Sequence, residues 1–105
     1  MNYPLKIWLD DMRMPPNEQW IRFIRAQELE HFIIANTQVK IGIISLDHDL
    51  GLGETGYDFV CWLEKQIHYG NVMKPEGIYC HSQNPVGRLN IEKAIEAIYS
   101  GYVSE

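Results

Sequence analysis

No stretch of this 105-residue chain approaches the roughly 18 consecutive apolar residues that a membrane helix requires. Basic side chains are also scarce. Nine Lys and Arg against 14 Asp and Glu give a formal charge of -5, which excludes an extended nucleic-acid surface built on many phosphate contacts. A single phosphate group remains within reach, because one or two arginines, a metal ion or a helix N-terminus can bind it. There are only two cysteines, Cys61 and Cys80. Both sit inside apolar segments, which predicts reduced, buried thiols of a cytoplasmic protein and not a disulfide framework. The opening "MNYPLKIWLDD" has no basic region, long apolar block or small-residue cleavage site, so no signal peptide is expected. Repeats, low-complexity tracts and linkers are missing, and the length suits one domain over residues 1–105.

What is present alternates. "PLKIWLDD" reads as a short strand ending in acid, and the paired prolines of "MRMPPNEQ" then forbid a helix interior. "WIRFIRA" suggests an edge strand or a strand-to-helix transition, with Trp20, Phe23 or Ile24 facing inward; such an edge could pair with a second copy. "QELEHFIIAN" places Leu29, Phe32 and Ile33 on one helical face, with Asn36 able to end it in the left-handed conformation. "VKIGIISLDHD" is the β-branched run of a central strand covered on both faces. In "TGYDFVCWLEKQIHYG", Thr55 can cap a helix, Asp58 complements its dipole, Val60, Leu63 and Ile67 share a side, and Gly70 stops it. "GIYCHSQ" is a further strand. Asn84 and Pro85 then open a helix whose buried stripe is Ile91, Ala94, Ile95 and Ile98.

Strands alternating with helices of these lengths predict an α/β domain with a mostly parallel sheet of about four strands. In such sheets ligands bind beyond the carboxyl ends of the strands. The three apolar strands end in Asp10-Asp11, in Asp47-His48-Asp49 and in His81-Ser82-Gln83-Asn84, so nearly every chemically capable side chain falls at one sheet edge.

Side chains alternate along a strand, so Asp10 and Asp11 can share a site only where the strand gives way to loop. Several carboxylates around one pocket repel each other unless a cation keeps them ionised. Hard oxygen donors without cysteine suit Mg²⁺ or Mn²⁺, bound by Asp10 or Asp11 together with Asp47. His48 and His81 can act as base and acid in phosphoester cleavage, or as metal ligands. Ser82, Asn84 and the amides opening the last helix form a phosphate cradle, and Arg13 or Arg88 can clamp phosphate oxygens bidentately. His31 and His68 are read as surface residues, and Trp8, Trp20 and Trp62 as core or rim packing.

The acid pair after the first strand, the aspartate closing "IISLD", Gly56 opening a helix and a hydroxyl at the next strand end resemble the response-regulator receiver superfamily. "WLDDMRMPP", "LDHDLG", "TGYDFVCWLE" and "HSQNPVGRLNI" more closely resemble its divergent branch, the cyclic-phosphate-processing receiver-like domain, from about Lys6 to Ile98. The resemblance implies a receiver-like, flavodoxin-like three-layer sandwich, truncated relative to a full receiver. It matches Asp10 and Asp11 to the receiver's metal-binding acids, Asp47 to its phosphoacceptor, and Ser82 to a position near its hydroxyl residue. His48, Asp49, His81, Asn84 and Arg88 fall in motifs of the divergent branch. After "IEAIYSGYVSE" no fifth strand or receiver lysine is expected, and "MRMPPNEQ" stands where a helix joins strands one and two.

The expected function is a metal-dependent phosphoesterase that processes cyclic phosphates on nucleotides or RNA ends. His48, His81 and Asp49 would be catalytic, Arg13, Ser82, Asn84 and Arg88 phosphate-binding, and Asp10, Asp11 and Asp47 metal-binding. The alternatives are a receiver-type phosphoacceptor module with Asp47 as acceptor, or a non-catalytic phosphate-ligand binding domain.

Overall fold

Apolar residues two apart and apolar residues three or four apart define, respectively, four strands and three helices in the computed structural model, which describes residues 4–100. The strands are β1 (Leu5–Leu9), β2 (Trp20–Phe23), β3 (Ile41–Leu46) and β4 (Gly77–Cys80). They form one sheet in the order β2-β1-β3-β4, and every neighbouring pair is parallel. The helices are α1 (Ala26–Ala35), α2 (Gly56–His68) and α3 (Pro85–Tyr99). The chain is thus α/β and receiver-like, with "WIRF" as the edge strand. The expectations about the chain's first residues and about a fifth strand after α3 fall partly or wholly on residues 1–3 and 101–105, outside the described residues.

Ile7 and Leu9 of β1, Ile44 and Leu46 of β3, and Ile78 of β4 alternate along their strands, so their side chains share one face of the sheet. They form a single core with Leu29 and Ile33 of α1, Phe59, Val60 and Leu63 of α2, and Ile91 and Ile98 of α3. All three helices therefore lie on that face. Right-handed crossovers that step the same way across the sheet, β2 to β3 to β4, place their helices on one side. Among the described residues no third layer of the expected sandwich is present, because residues 10–19, with Pro15 and Pro16, carry β1 to β2 without a helix. A thickness of 21 Å agrees with one sheet and one helical layer.

Local signals explain the helix ends. Thr55 Oγ1 accepts the Asp58 N–H at 3.1 Å, and Asn84 Oδ1 accepts from both Val86 and Gly87. Helix α1 starts after Arg25, which makes no side-chain cap; Glu54 supplies one from the loop before α2, accepting the Ala26 N–H and the Arg25 Nε at 3.1 Å each. Asn36 departs from the left-handed end expected for it. Its φ is -131°, and it closes α1 by donating its amide to Phe32 O. Gly70 does take positive φ after α2. Ile67, Ala94 and Ile95 pack against the core while remaining half-buried. Cys61 and Cys80 are free and also half-buried, shallower than their apolar neighbours suggest. Among the described residues no helix is long and apolar enough to cross a membrane.

Gly56 presses the start of α2 against the end of β3. A Cβ there would overlap the Asp47 carbonyl oxygen and approach Leu46 Cδ1 at 2.8 Å. Backbone cannot yield as a flexible side chain does, so Gly56→Ala should destabilise the fold by about 3 kcal/mol. Urea denaturation checks this, and an unchanged midpoint would show that α2 is not in such close contact.

Candidate functional site

The sheet's carboxyl edge gathers the acids. β1 ends at Leu9, and the Asp10 N–H is still held by Phe23 O of β2 at 3.1 Å, so Asp10 keeps a strand-like orientation and is completely buried. Asp11 begins the bend that follows and is half-buried. This break in alternation lets the neighbours reach one place. One carboxylate oxygen each from Asp10, Asp11 and Asp47 lies within 4.8 Å of the others. Gly51, at φ +74°, leaves room for Asp11, whose Oδ2 stands 3.1 Å from where a Cβ on Gly51 would be.

Asp10 is the most constrained member. Its Oδ1 accepts the N–H groups of Met12 at 2.8 Å and Arg13 at 3.0 Å, and its Oδ2 is 2.8 Å from His81 Nε2. Burial alone would raise its pKa, but the bonds from Arg13, Met12 and His81 outweigh burial and hold the carboxyl below its ordinary value. A carboxylate offers about four lone-pair positions. Three are used, which leaves one on Oδ2. Asp47 Oδ1 accepts the His48 N–H at 2.8 Å, leaving its second oxygen for the cluster. This donor set, hard oxygens with capacity in reserve, fits a divalent cation such as Mg²⁺ or Mn²⁺.

His81, the first residue after β4, is held on three sides. Its ring stacks on Trp8 with centroids 4.0 Å apart and planes 9° apart, its Nε2 meets Asp10, and its Nδ1 lies 2.8 Å from Ser45 Oγ. Trp8 is itself fixed by an Nε1–H bond to Arg13 O at 2.9 Å and an edge-on contact with Trp20 at 5.6 Å. The sequence reading missed Ser45. Its signal is a lone hydroxyl within the apolar run "IGIISL". Trp8 was read as packing, and its packing partner proves to be the histidine.

His48 sits apart from this trio. Its ring lies against Gly87, where any Cβ would collide with it, and its Nδ1 is buried without a hydrogen-bond partner among the described residues. Asp49 is exposed, and its Oδ2 accepts from Asn84 Nδ2 at 3.4 Å. Around α3 the polar groups are largely engaged. Ser82 is buried and its Oγ accepts the Asn84 N–H at 3.1 Å, while Asn84 Oδ1 occupies two of the helix's first amides. Arg88 pairs with Glu92 at 3.1 Å and reaches Ser82 O at 3.5 Å. Arg13 is exposed and its guanidinium donates to His81 O at 3.3 Å. His31 and His68 lie exposed on their helices.

The model of one family, described as the cyclic-phosphate processing receiver domain, matches residues 5–97, well over half of the chain. No curated protein and no solved structure matches it.

The lowered pKa of Asp10 has a definite sign for stability. A group whose folded pKa lies below its unfolded value stabilises in full above the unfolded pKa, about 3.9 for Asp, and loses that contribution as pH falls through the folded pKa. Urea midpoints compared for the wild type and Asp10→Asn should therefore converge as pH falls through and below the ordinary Asp value of about 3.9. A gap that stays constant with pH would show that Asp10 is not held ionised.

Proposed function

The chain belongs to the cyclic-phosphate processing receiver family, and from that premise we propose that it is a metal-dependent phosphoesterase acting on cyclic phosphates of nucleotides or RNA ends. The observation that carries the reading is the convergence of Asp10, Asp11 and Asp47 at one end of a parallel sheet, with His81 bonded to Asp10. Asp10 Oδ2, Asp11 and the second oxygen of Asp47 would hold Mg²⁺ or Mn²⁺. When bound, such an ion polarises a phosphoryl oxygen and activates water.

The chain's own residues divide the remaining work. Arg13, exposed and bonded to the carbonyl of His81, would neutralise phosphate oxygens. Asn84 Nδ2 is a second donor, shared with Asp49, while its Oδ1 is committed to the α3 cap. Ser82 and Arg88 support that turn through Asn84 N–H and Ser82 O, and Arg88 reaches a phosphate by leaving Glu92. His48 and His81 would be the proton-transfer groups, His81 oriented by bonds at both ring nitrogens and His48 carrying a buried Nδ1 without a partner among the described residues. Asp49, exposed and bonded to Asn84 Nδ2, would serve as an acceptor. A compact domain of this acidic composition fits a cytoplasmic setting and a small phosphate-bearing substrate.

Asp47 also supports a second reading. It directly follows the central strand β3 and belongs to the acid cluster, where a receiver accepts a phosphoryl group. Intact mass after acetyl phosphate treatment separates the two: a stable adduct lost in Asp47→Asn favours signalling. Ligand binding without turnover would instead favour a binding domain.

With Mn²⁺ or Mg²⁺ the full chain should open 2′,3′-cyclic nucleotides, and chelation should abolish this. Asp47→Asn should lower kcat/KM by more than about 100-fold, the loss of a few kcal/mol of transition-state stabilisation. Inactivity across both metals and several cyclic nucleotides overturns the phosphoesterase reading.

A further inference from the structure

We infer that Ser45 is a positioning residue: its hydroxyl fixes the His81 ring and, through that ring, the Asp10 carboxylate. The inference rests on the metal-site reading only for its effect on affinity; the orientation of the ring stands on geometry alone. Ser45 lies on β3 directly between Trp8 of β1 and Tyr79 of β4, on the sheet face opposite the helical core. It is buried, at 7% exposure, in a strand otherwise apolar, so its hydroxyl needs a partner. That partner is His81 Nδ1, at 2.8 Å.

The proton order follows from the acceptor at the far end. Asp10, kept ionised by its backbone donors, can only accept, so His81 Nε2 carries a hydrogen and donates it to Oδ2 at 2.8 Å. In the neutral ring Nδ1 is then bare, and Ser45 donates to it. The reverse tautomer would set the Nε2 lone pair against a carboxylate oxygen. A hydroxyl suits this place because it also accepts if Nδ1 gains a proton, so it supports the ring in either charge state. Stacking on Trp8 fixes the plane of the ring but allows a half-turn about Cβ–Cγ that exchanges each nitrogen with a carbon. Ser45 and Asp10, at its two nitrogens, select one of the two orientations.

The consequence concerns Asp10. Its Oδ2 has one lone pair directed by the His81 bond and another left for the acid cluster, so a ring that turns releases the carboxylate oxygen from its aim. Groups that orient a metal ligand in this way typically change metal affinity by about 10–100-fold when removed. Ser45 does not itself reach the cluster. It acts through His81.

The test uses the full chain with ¹⁵N-labelled histidine, and variants Ser45→Ala and Ser45→Thr. Without metal, Ser45→Ala should move the His81 Nδ1 resonance toward that of an unbonded ring nitrogen and speed exchange of the Nε2–H proton with water. Ser45→Thr, which keeps the hydroxyl on a strand-compatible side chain, should restore both. By calorimetry Ser45→Ala should weaken Mn²⁺ binding about tenfold. Unchanged His81 signals in a folded Ser45→Ala protein overturn the inference, as does altered ring behaviour with unchanged Mn²⁺ affinity. A wild-type chain that binds no Mn²⁺ refutes the metal reading, and the metal-free spectra then still decide whether Ser45 orients the ring.

Discussion

Asp10 has no contact with solvent, and an ionised carboxylate in that position is tolerated only when its lone pairs are satisfied. The local chain meets this constraint in a specific way. The bend at Asp11–Met12 turns two backbone N–H groups back onto Oδ1, so the loop after β1 is shaped around the charge it must satisfy. Oδ2 is answered from the far side of the sheet order, by the residue that follows β4. A single buried charge thus ties together segments 71 positions apart. It also leaves its one spare lone pair where Asp11 and Asp47 converge.

That convergence depends on the sheet being parallel. Carboxyl ends of parallel strands lie at one edge, and the order β2-β1-β3-β4 puts the ends of β1 and β3 side by side. Backbone bonds extend the registry past the strands: Asp47 N–H donates to Leu9 O at 3.0 Å and His81 N–H to Leu46 O at 3.0 Å. The site residues therefore continue the hydrogen-bonding pattern of the strands. The turn through Gly51, Leu52 and Gly53, all with positive φ, is followed by Glu54, which bonds to the start of α1.

Element types and the edge that gathers the acids were legible because they rest on periodicity and on residues of fixed habit, such as Thr55, Asn84 with Pro85, and Gly70. The end of α1 was not. Asn36 tolerates left-handed backbone, but a side-chain bond to Phe32 O offers an alternative that only the local packing selects. Nor did the sequence reveal Glu54 as the cap of α1, since that bond joins segments 28 residues apart. The polar residues around Asn84 show a further limit. Composition places Ser82, Asn84 and Arg88 together, but only the structure shows that most of their bonding capacity goes to the turn itself. His48 and His81 look equivalent as strand-end histidines, and their surroundings make them different: one ring is tied at both nitrogens, the other lies on Gly87 with Nδ1 unpaired.

The missing helical layer and the support of His81 are two sides of one arrangement. Where a helix would join β1 to β2, the proline-containing segment 10–19 instead crosses the face that bears Trp8, Ser45 and Tyr79. A helix packed there would need apolar strand residues beneath it, as on the opposite face. A short loop asks for less, and its Arg13 carbonyl binds the indole of Trp8 while its Arg13 guanidinium reaches the His81 carbonyl. Trp8 is then free to lie flat against the imidazole, and a hydroxyl can occupy the middle of a central strand without meeting an apolar helix. A full second helical layer on this face would have to displace the Trp8–His81 stack or bury it differently. The reduction of the fold on one side is thus what permits a histidine, rather than a backbone or a solvent molecule, to stand behind the acid cluster.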